Sequence, residues 1–151
     1  MFEILDALDK DTISLIGGIV GLFSVPTVII LNAIQAKNQR IQAFMQIMNY
    51  VNRSYSEVHE TLNTLPQSIQ DYHDLKTTER LAISRYINLC FEEWMYWKLG
   101  MLHKRIWPSW RQGIAEKFNH PVIKYLWQTK HRDEYDIQFQ HFIDRLIKET
   151  P

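Results

Sequence analysis

Apolar positions fall into three kinds of run along this chain. The first is continuous: Ile13–Leu31 reads ISLIGGIVGLFSVPTVIIL, and no charge occurs from Thr12 to Ala36. At ~1.5 Å rise per residue, a helix over that run covers the ~30 Å hydrocarbon core of a bilayer. The second is periodic. Ile41, Phe44, Met48, Val51, Tyr55, Val58, Leu62 and Leu65 alternate at spacings of three and four, a heptad pattern with Ile41, Met48, Tyr55 and Leu62 at one position. A period of 3.5 suits a coiled-coil seam or a helix docked along a bundle. No proline or glycine falls between Thr27 and Leu65, so the first helix is expected to continue into the second run and to end at Pro66.

The third kind is a set of shorter amphipathic stretches. After the polar segment 67–76, Thr77 or Thr78 is placed to cap a helix over 79–99 that carries Leu81, Ile83, Ile87, Leu89, Cys90, Phe91, Trp94, Met95, Trp97 and Leu99. Gly100 is its expected stop. Further helices are expected over about 104–118, from Pro121, and over about 136–149 with Ile137, Phe139, Phe142, Ile143, Leu146 and Ile147. Alternating strand-like stretches bounded by turn residues are absent. The pattern thus predicts an all-α protein with one N-terminal transmembrane helix continuing into a small helical bundle. Its parts are a short acidic leader (1–11), a span (12–36) and a helical domain (37–151) with material for one core.

Charge and cysteine content refine this picture. Glu3, Asp6, Asp9 and Asp11 oppose only Lys10 ahead of the run, the reverse of a signal peptide's basic leader, which favours a retained anchor. Lys37, Arg40 and Arg53 follow the run, so the positive-inside rule places residues 37–151 in the cytoplasm and the leader outside. Cys90, the single cysteine, has no intrachain disulfide partner and is compatible with a reducing compartment. Within the span, Gly17 and Gly21 are four apart, as are Ser14 and Gly18, the spacing at which small residues let two membrane helices approach closely. A homo-oligomer joined through Ser14, Gly17, Gly18 and Gly21 is one expectation; glycine is also simply common in membrane helices. Likewise, the heptad seam can pair protomers or supply the core stripe of a bundle within one chain.

Overall charge is balanced, with 17 basic and 17 acidic residues, yet its distribution is uneven. Lys98, Lys104, Arg105, Arg111, Lys117, Lys124, Lys130 and Arg132 are opposed within their segment by Glu116 alone, and Trp107, Trp110 and Trp127 are interleaved with them. Three uses fit that stretch, in this order: a solvated face over core tryptophans, a surface for anionic lipid, and a groove for nucleic acid. Glu92 and Glu93 stand inside the most apolar helix and point about 100° apart, so one of them is expected to be buried. Such an acid must be ion-paired (with Arg80, Arg85, Lys98 or Arg111), hydrogen-bonded or protonated. It can serve as a structural anchor or as a poised acid. No zinc spacing, phosphate-cradling glycine loop or nucleophile elbow occurs, and no metal or cofactor is expected.

The run from Arg85 to Trp94 (RYINLCFEEW), then Lys98-Leu99-Gly100, then Ile106-Trp107, Trp110 and Gly113-Ile114, resembles a large bacterial family of small single-span helical proteins. That family pairs a YLNLC-x-EE helix with a W-x-x-W helix, and the likeness extends over most of 50–147. It implies a helical domain at the bacterial inner membrane; phage defence is the role suggested for some members, and no activity is established for their residues. A more distant likeness is to the HEPN-like membrane accessory protein of type VI-B CRISPR systems. HEPN ribonucleases use an Arg-x(4–6)-His motif, which Arg53 and His59 match in spacing. The resemblance would make these two residues catalytic, with Arg stabilising charge and His moving protons; otherwise they are surface residues beside Glu57 and Glu60. Two functions follow: a non-enzymatic membrane protein with a cytoplasmic binding or sensing domain, or a HEPN-like ribonuclease or nucleic-acid-regulated effector.

Overall fold

The computed structural model describes the backbone of residues 10–69 and 71–149, and side chains from residue 28 onward. Among the described residues five α-helices follow one another: α1 (Lys10–Asn63), α2 (Thr77–Lys98), α3 (Trp107–Phe118), α4 (Pro121–Leu126) and α5 (Ile137–Glu149). No strand occurs among the described residues, and the chain is all-α. It divides into two compact units, residues 1–43 and 44–151, and α1 belongs to both.

In the first unit, every described side chain from Val28 to Gln42 is exposed, including the large apolar ones of Val28, Ile29, Ile30, Leu31 and Ile34. Among the described residues no helix is long and apolar enough to cross a membrane. The larger part of the expected span, Thr12 to Thr27, lies outside the described side chains, and so do Ser14, Gly17, Gly18 and Gly21.

The second unit begins where α1 starts to bury its seam. Val51, Val58, Leu62 and Leu65 are buried, and Phe44 and Tyr55 pack against the core. The stripe is therefore the inner face of a bundle within one chain. Ile41 is 51% exposed and Met48 only half-buried, and Ile47 joins the core instead. Tyr50 lies close to Glu92, whose carboxylate raises its pKa, and Tyr55 packs on Tyr86 with ring centroids 6.2 Å apart. Moving forward along α1 thus moves backward along α2, and the two are antiparallel.

Local signals set most boundaries. The Glu79 carboxylate accepts from the Lys76 amide at 2.7 Å and so caps α2; Thr77 is its first helical residue rather than its cap. At the other end Gly100 has φ +69°, and the Met101 amide bonds the Tyr96 carbonyl at 2.9 Å. This is a Schellman stop, for which the left-handed residue is best a glycine. Helix α3 begins at Trp107, later than the pattern suggests, because Pro108 belongs in a first turn. Pro121 opens α4 as expected. Its path continues through a π turn at Trp127–His131, with Thr129 Oγ1 donating back to the Tyr125 carbonyl at 2.8 Å, and a 3-10 turn at Arg132–Glu134. Periodicity had left this stretch unassigned.

The core is rich in rings. Phe139 of α5 meets Phe91 edge-on at 5.2 Å and Trp127 at 5.8 Å, so α2, α5 and the π turn converge on one side chain. Around it α5 buries Phe139, Ile143, Leu146 and Ile147 and exposes Gln138, His141, Arg145 and Lys148. Ile137, counted with the apolar face from sequence, is 54% exposed in the first turn.

Candidate functional site

Where α1, α2 and α3 meet, a cleft of about 240 Å³ opens to solvent. Asn52 and Tyr55 reach it from α1, Tyr86 and Glu93 from α2, and Ser109 and Trp110 from α3. The helical repeat explains the selection. Tyr86, Cys90 and Glu93 recur at spacings of four and three on the α2 face that meets α1. Gly113 lines the same wall and has no Cβ, which leaves the space open; an added Cβ would meet nothing within 4 Å.

Glu93 dominates the electrostatics. It is 9% exposed, and burial, then the charge of Glu92, raises its pKa from 4.5 to about 8. At neutral pH it is mostly the protonated acid. None of the four cations expected as partners pairs with it. Arg80 donates to Thr77 Oγ1 and lies over the Tyr72 ring. Lys98 lies over Trp94 and Trp97, and Arg111 pairs with Glu149 at 2.5 Å. Arg85 forms no ion pair among the described residues. Protonation, rather than pairing, is how this acid is accommodated.

Its neighbours respond to the same surroundings. Burial raises the hydroxyl pKa of Tyr86 well above its usual value, and burial raises that of Tyr55 as well. Burial pushes up the Cys90 thiol, which is fully inside. Glu92, one residue from Glu93, sits half-buried with Oε2 unpartnered, and its carboxylate close to Tyr50 raises the pKa of that hydroxyl. The cleft therefore presents a carboxyl group that exchanges its proton near neutral pH, an amide, hydroxyls and aromatic faces. That set can donate to and accept from a small polar ligand. It can also hold an organic cation, which would ionise Glu93 and meet the rings of Tyr55 and Trp110.

The other candidate residues lie elsewhere. Arg53 is exposed and pairs with Glu57 at 3.5 Å. The His59 ring hydrogen-bonds Asn63 at 2.9 Å and packs on Tyr55. Six positions along a helix turn the chain through about 240°, so Arg53 and His59 occupy different faces of α1. The structure does not bring them together within one chain.

The basic stretch is partly neutralised by contacts that its spacing did not reveal. Arg111 meets Glu149 of α5, Arg132 meets Asp144 at 3.0 Å, and Lys117 donates to Asn63 Oδ1 at 2.6 Å. Lys130 lies 5.4 Å from the Tyr72 ring centre. Lys104, Arg105 and Lys124 form no ion pair among the described residues. Trp107 and Trp127 are buried, and Trp110 is half-buried at the cleft. No group of three or more metal-ligating side chains occurs among the described residues.

Sequence reasoning singled out the pair Glu92 and Glu93 without choosing between them, and missed Asn52, Tyr55, Tyr86 and Ser109 as companions of Glu93. The available signal was Tyr55 and Tyr86, side chains that carry a hydroxyl on faces made mainly of apolar residues. Comparison with protein-family models, with curated proteins and with solved structures finds no match.

Proposed function

We propose that this chain is a single-span membrane protein whose cytoplasmic bundle is a ligand-binding or sensing module rather than an enzyme. The observation that carries this reading is α1 itself. The uncharged run from Thr12 to Ala36 continues into described residues whose large apolar side chains, Val28 to Leu31 and Ile34, are exposed. A helix apolar all round is stable where lipid or protein covers it. The cations that follow the run support a cytoplasmic side for residues 37–151. Self-association through Ser14, Gly17, Gly18 and Gly21 belongs to the same reading.

The Glu93 cleft gives the module something to bind: a small molecule with a primary or quaternary amine, or a neutral hydrogen-bonding one. Binding of an amine at pH 7 would release a proton from Glu93. Unlike an Arg-His ribonuclease centre, this site draws on residues that three helices bring together.

Two measurements test the proposal. Membranes from cells expressing the full chain are washed with alkaline carbonate: retention in the pellet is expected, and release of the whole population would overturn the anchor. Native mass in mild detergent is then compared for wild type and Gly17→Leu. A discrete oligomer that dissociates in the variant supports the glycine face, whereas a wild-type monomer removes self-association from the reading.

A further inference from the structure

From Trp97 to Arg105 every residue except Leu102 is exposed. The segment links α2 to α3 and presents three large apolar side chains to solvent: Leu99 at 65%, Met101 at 42% and Trp97 at 38% exposure. Lys98, Lys104 and Arg105 accompany them, and no carboxylate lies in the chain between Glu93 and Glu116. Leu102 is buried, which pins the turn from beneath while its neighbours point outward. The Schellman stop at Gly100 holds the backbone in that course.

The position of this turn adds a second, independent observation. Tyr50 lies close to Glu92 and Tyr96, and Tyr55 packs on Tyr86. Residues 97–101 come after Tyr96 on the antiparallel helix α2. Within the second unit they therefore stand at the end of the bundle where its part of α1 begins, at Phe44.

We propose that the α2–α3 turn docks on the anionic surface of the bilayer, with Trp97, Leu99 and Met101 entering the headgroup region and Lys98, Lys104 and Arg105 meeting lipid phosphates and carboxylates. Exposed aliphatic side chains with cations in the same turn are what a lipid interface rewards, since apolar burial and attraction to anionic headgroups act together. A nucleic acid would gain little from Leu99 and Met101. The exposed tryptophan of the turn, Trp97, already gives a face to Trp107, stacked at 4.7 Å with 8° between planes. The proposal rests on the anchor reading for its orientation, and its chemistry stands apart from the Glu93 cleft.

The test uses the full chain carrying Leu99→Cys, labelled with an environment-sensitive fluorophore; native Cys90 is fully buried and needs no replacement. Glu60→Cys, on α1 beyond Tyr55, is the control. Label emission is read in nanodiscs of phosphatidylcholine alone and with phosphatidylserine added. The expected result is a blue shift and quenching by bromolipid at position 99 with phosphatidylserine present, and neither change at position 60. Lys104→Glu with Arg105→Glu reverses it, because each basic residue near the surface contributes roughly fivefold to partitioning. A label at 99 that stays water-exposed in both discs overturns the proposal while leaving the anchor intact. If carbonate strips the chain from membranes the anchor reading fails, and the same label with phosphatidylserine vesicles still decides the turn. A shift that needs added protein or RNA rather than phosphatidylserine would also refute lipid docking.

Discussion

Glu93 carries a pH dependence whose sign follows from its surroundings. Burial, then the charge of Glu92, raises its pKa from 4.5 to about 8. The other titratable groups facing it are Tyr55 on α1 and Tyr86 and Cys90 on α2, all pushed upward by burial, and α3 adds the neutral Ser109 and Trp110. Because the folded chain holds this proton more tightly than the unfolded chain, its stabilising contribution is complete below the unfolded value. That contribution is lost progressively as pH rises toward the folded value, and the loss levels off above it. At ~1.4 kcal/mol per pH unit, the loss between pH 4.5 and pH 7 is about 3 kcal/mol. Glu93→Gln keeps the volume and hydrogen-bonding ability of the protonated acid without ionising. It should match wild type near pH 5 and exceed it by about 3 kcal/mol at pH 7. Urea unfolding in a non-ionic detergent, followed by tryptophan fluorescence, reports on the bundle because Trp94 and Trp127 are buried in it. With a slope of about 1–3 kcal/mol per molar urea, the midpoint of the variant should lie at least ~1 M higher at pH 7. Parallel wild-type and variant profiles from pH 5 to 8.5, or a wild type that gains stability toward pH 8 relative to the variant, would refute the assignment of a buried protonated acid.

Other consequences are open to simpler assays. Asp144 accepts from Trp127 Nε1 at 3.0 Å and from Arg132; although burial opposes its ionisation, these hydrogen bonds hold its pKa below the usual value. Its contribution is present above the unfolded pKa and is lost as pH falls through the folded one. Asp144→Ala leaves the buried indole N–H unpaired and should cost about 1–3 kcal/mol in urea unfolding, and Asp144→Asn less; equal costs would show that the indole bond is unimportant. Gly100→Ala meets no steric neighbour, so only its φ of +69° opposes the change, and a midpoint loss equivalent to about 1–2 kcal/mol is expected. An unchanged midpoint would argue against the Schellman stop. Cys90, fully buried with its thiol pKa raised, should react with a thiol reagent only at the rate of unfolding. Fast stoichiometric labelling of the native protein would place it at a surface. Arg53→Ala and His59→Ala should leave stability within ~0.5 kcal/mol, because both side chains are exposed. A defined ribonuclease activity lost in both variants would revive the catalytic reading of this pair.

Features written into neighbouring residues were legible without the fold. Gly100, Pro108 and Pro121 act on their own backbone torsions, so the stop of α2 and the starts of α3 and α4 follow from short stretches of chain. The heptad from Phe44 to Leu65 and the amphipathic pattern of α5 likewise announce helices with one buried face. The absence of charge from Thr12 to Ala36 is a property of composition alone. Periodicity tells which residues share a face, but not which faces meet. It could not show that Glu93 is enclosed while Glu92 is half-buried, that Trp97 and Leu99 belong to the surface, or that Arg111 and Arg132 find carboxylates on α5. Those outcomes were decided when α1 and α2 packed antiparallel with α3 beside them, because burial and ion pairing depend on distances between residues far apart in the chain. The cleft exists only in that arrangement, with a wall from each of three helices and an acid kept protonated by the burial they impose.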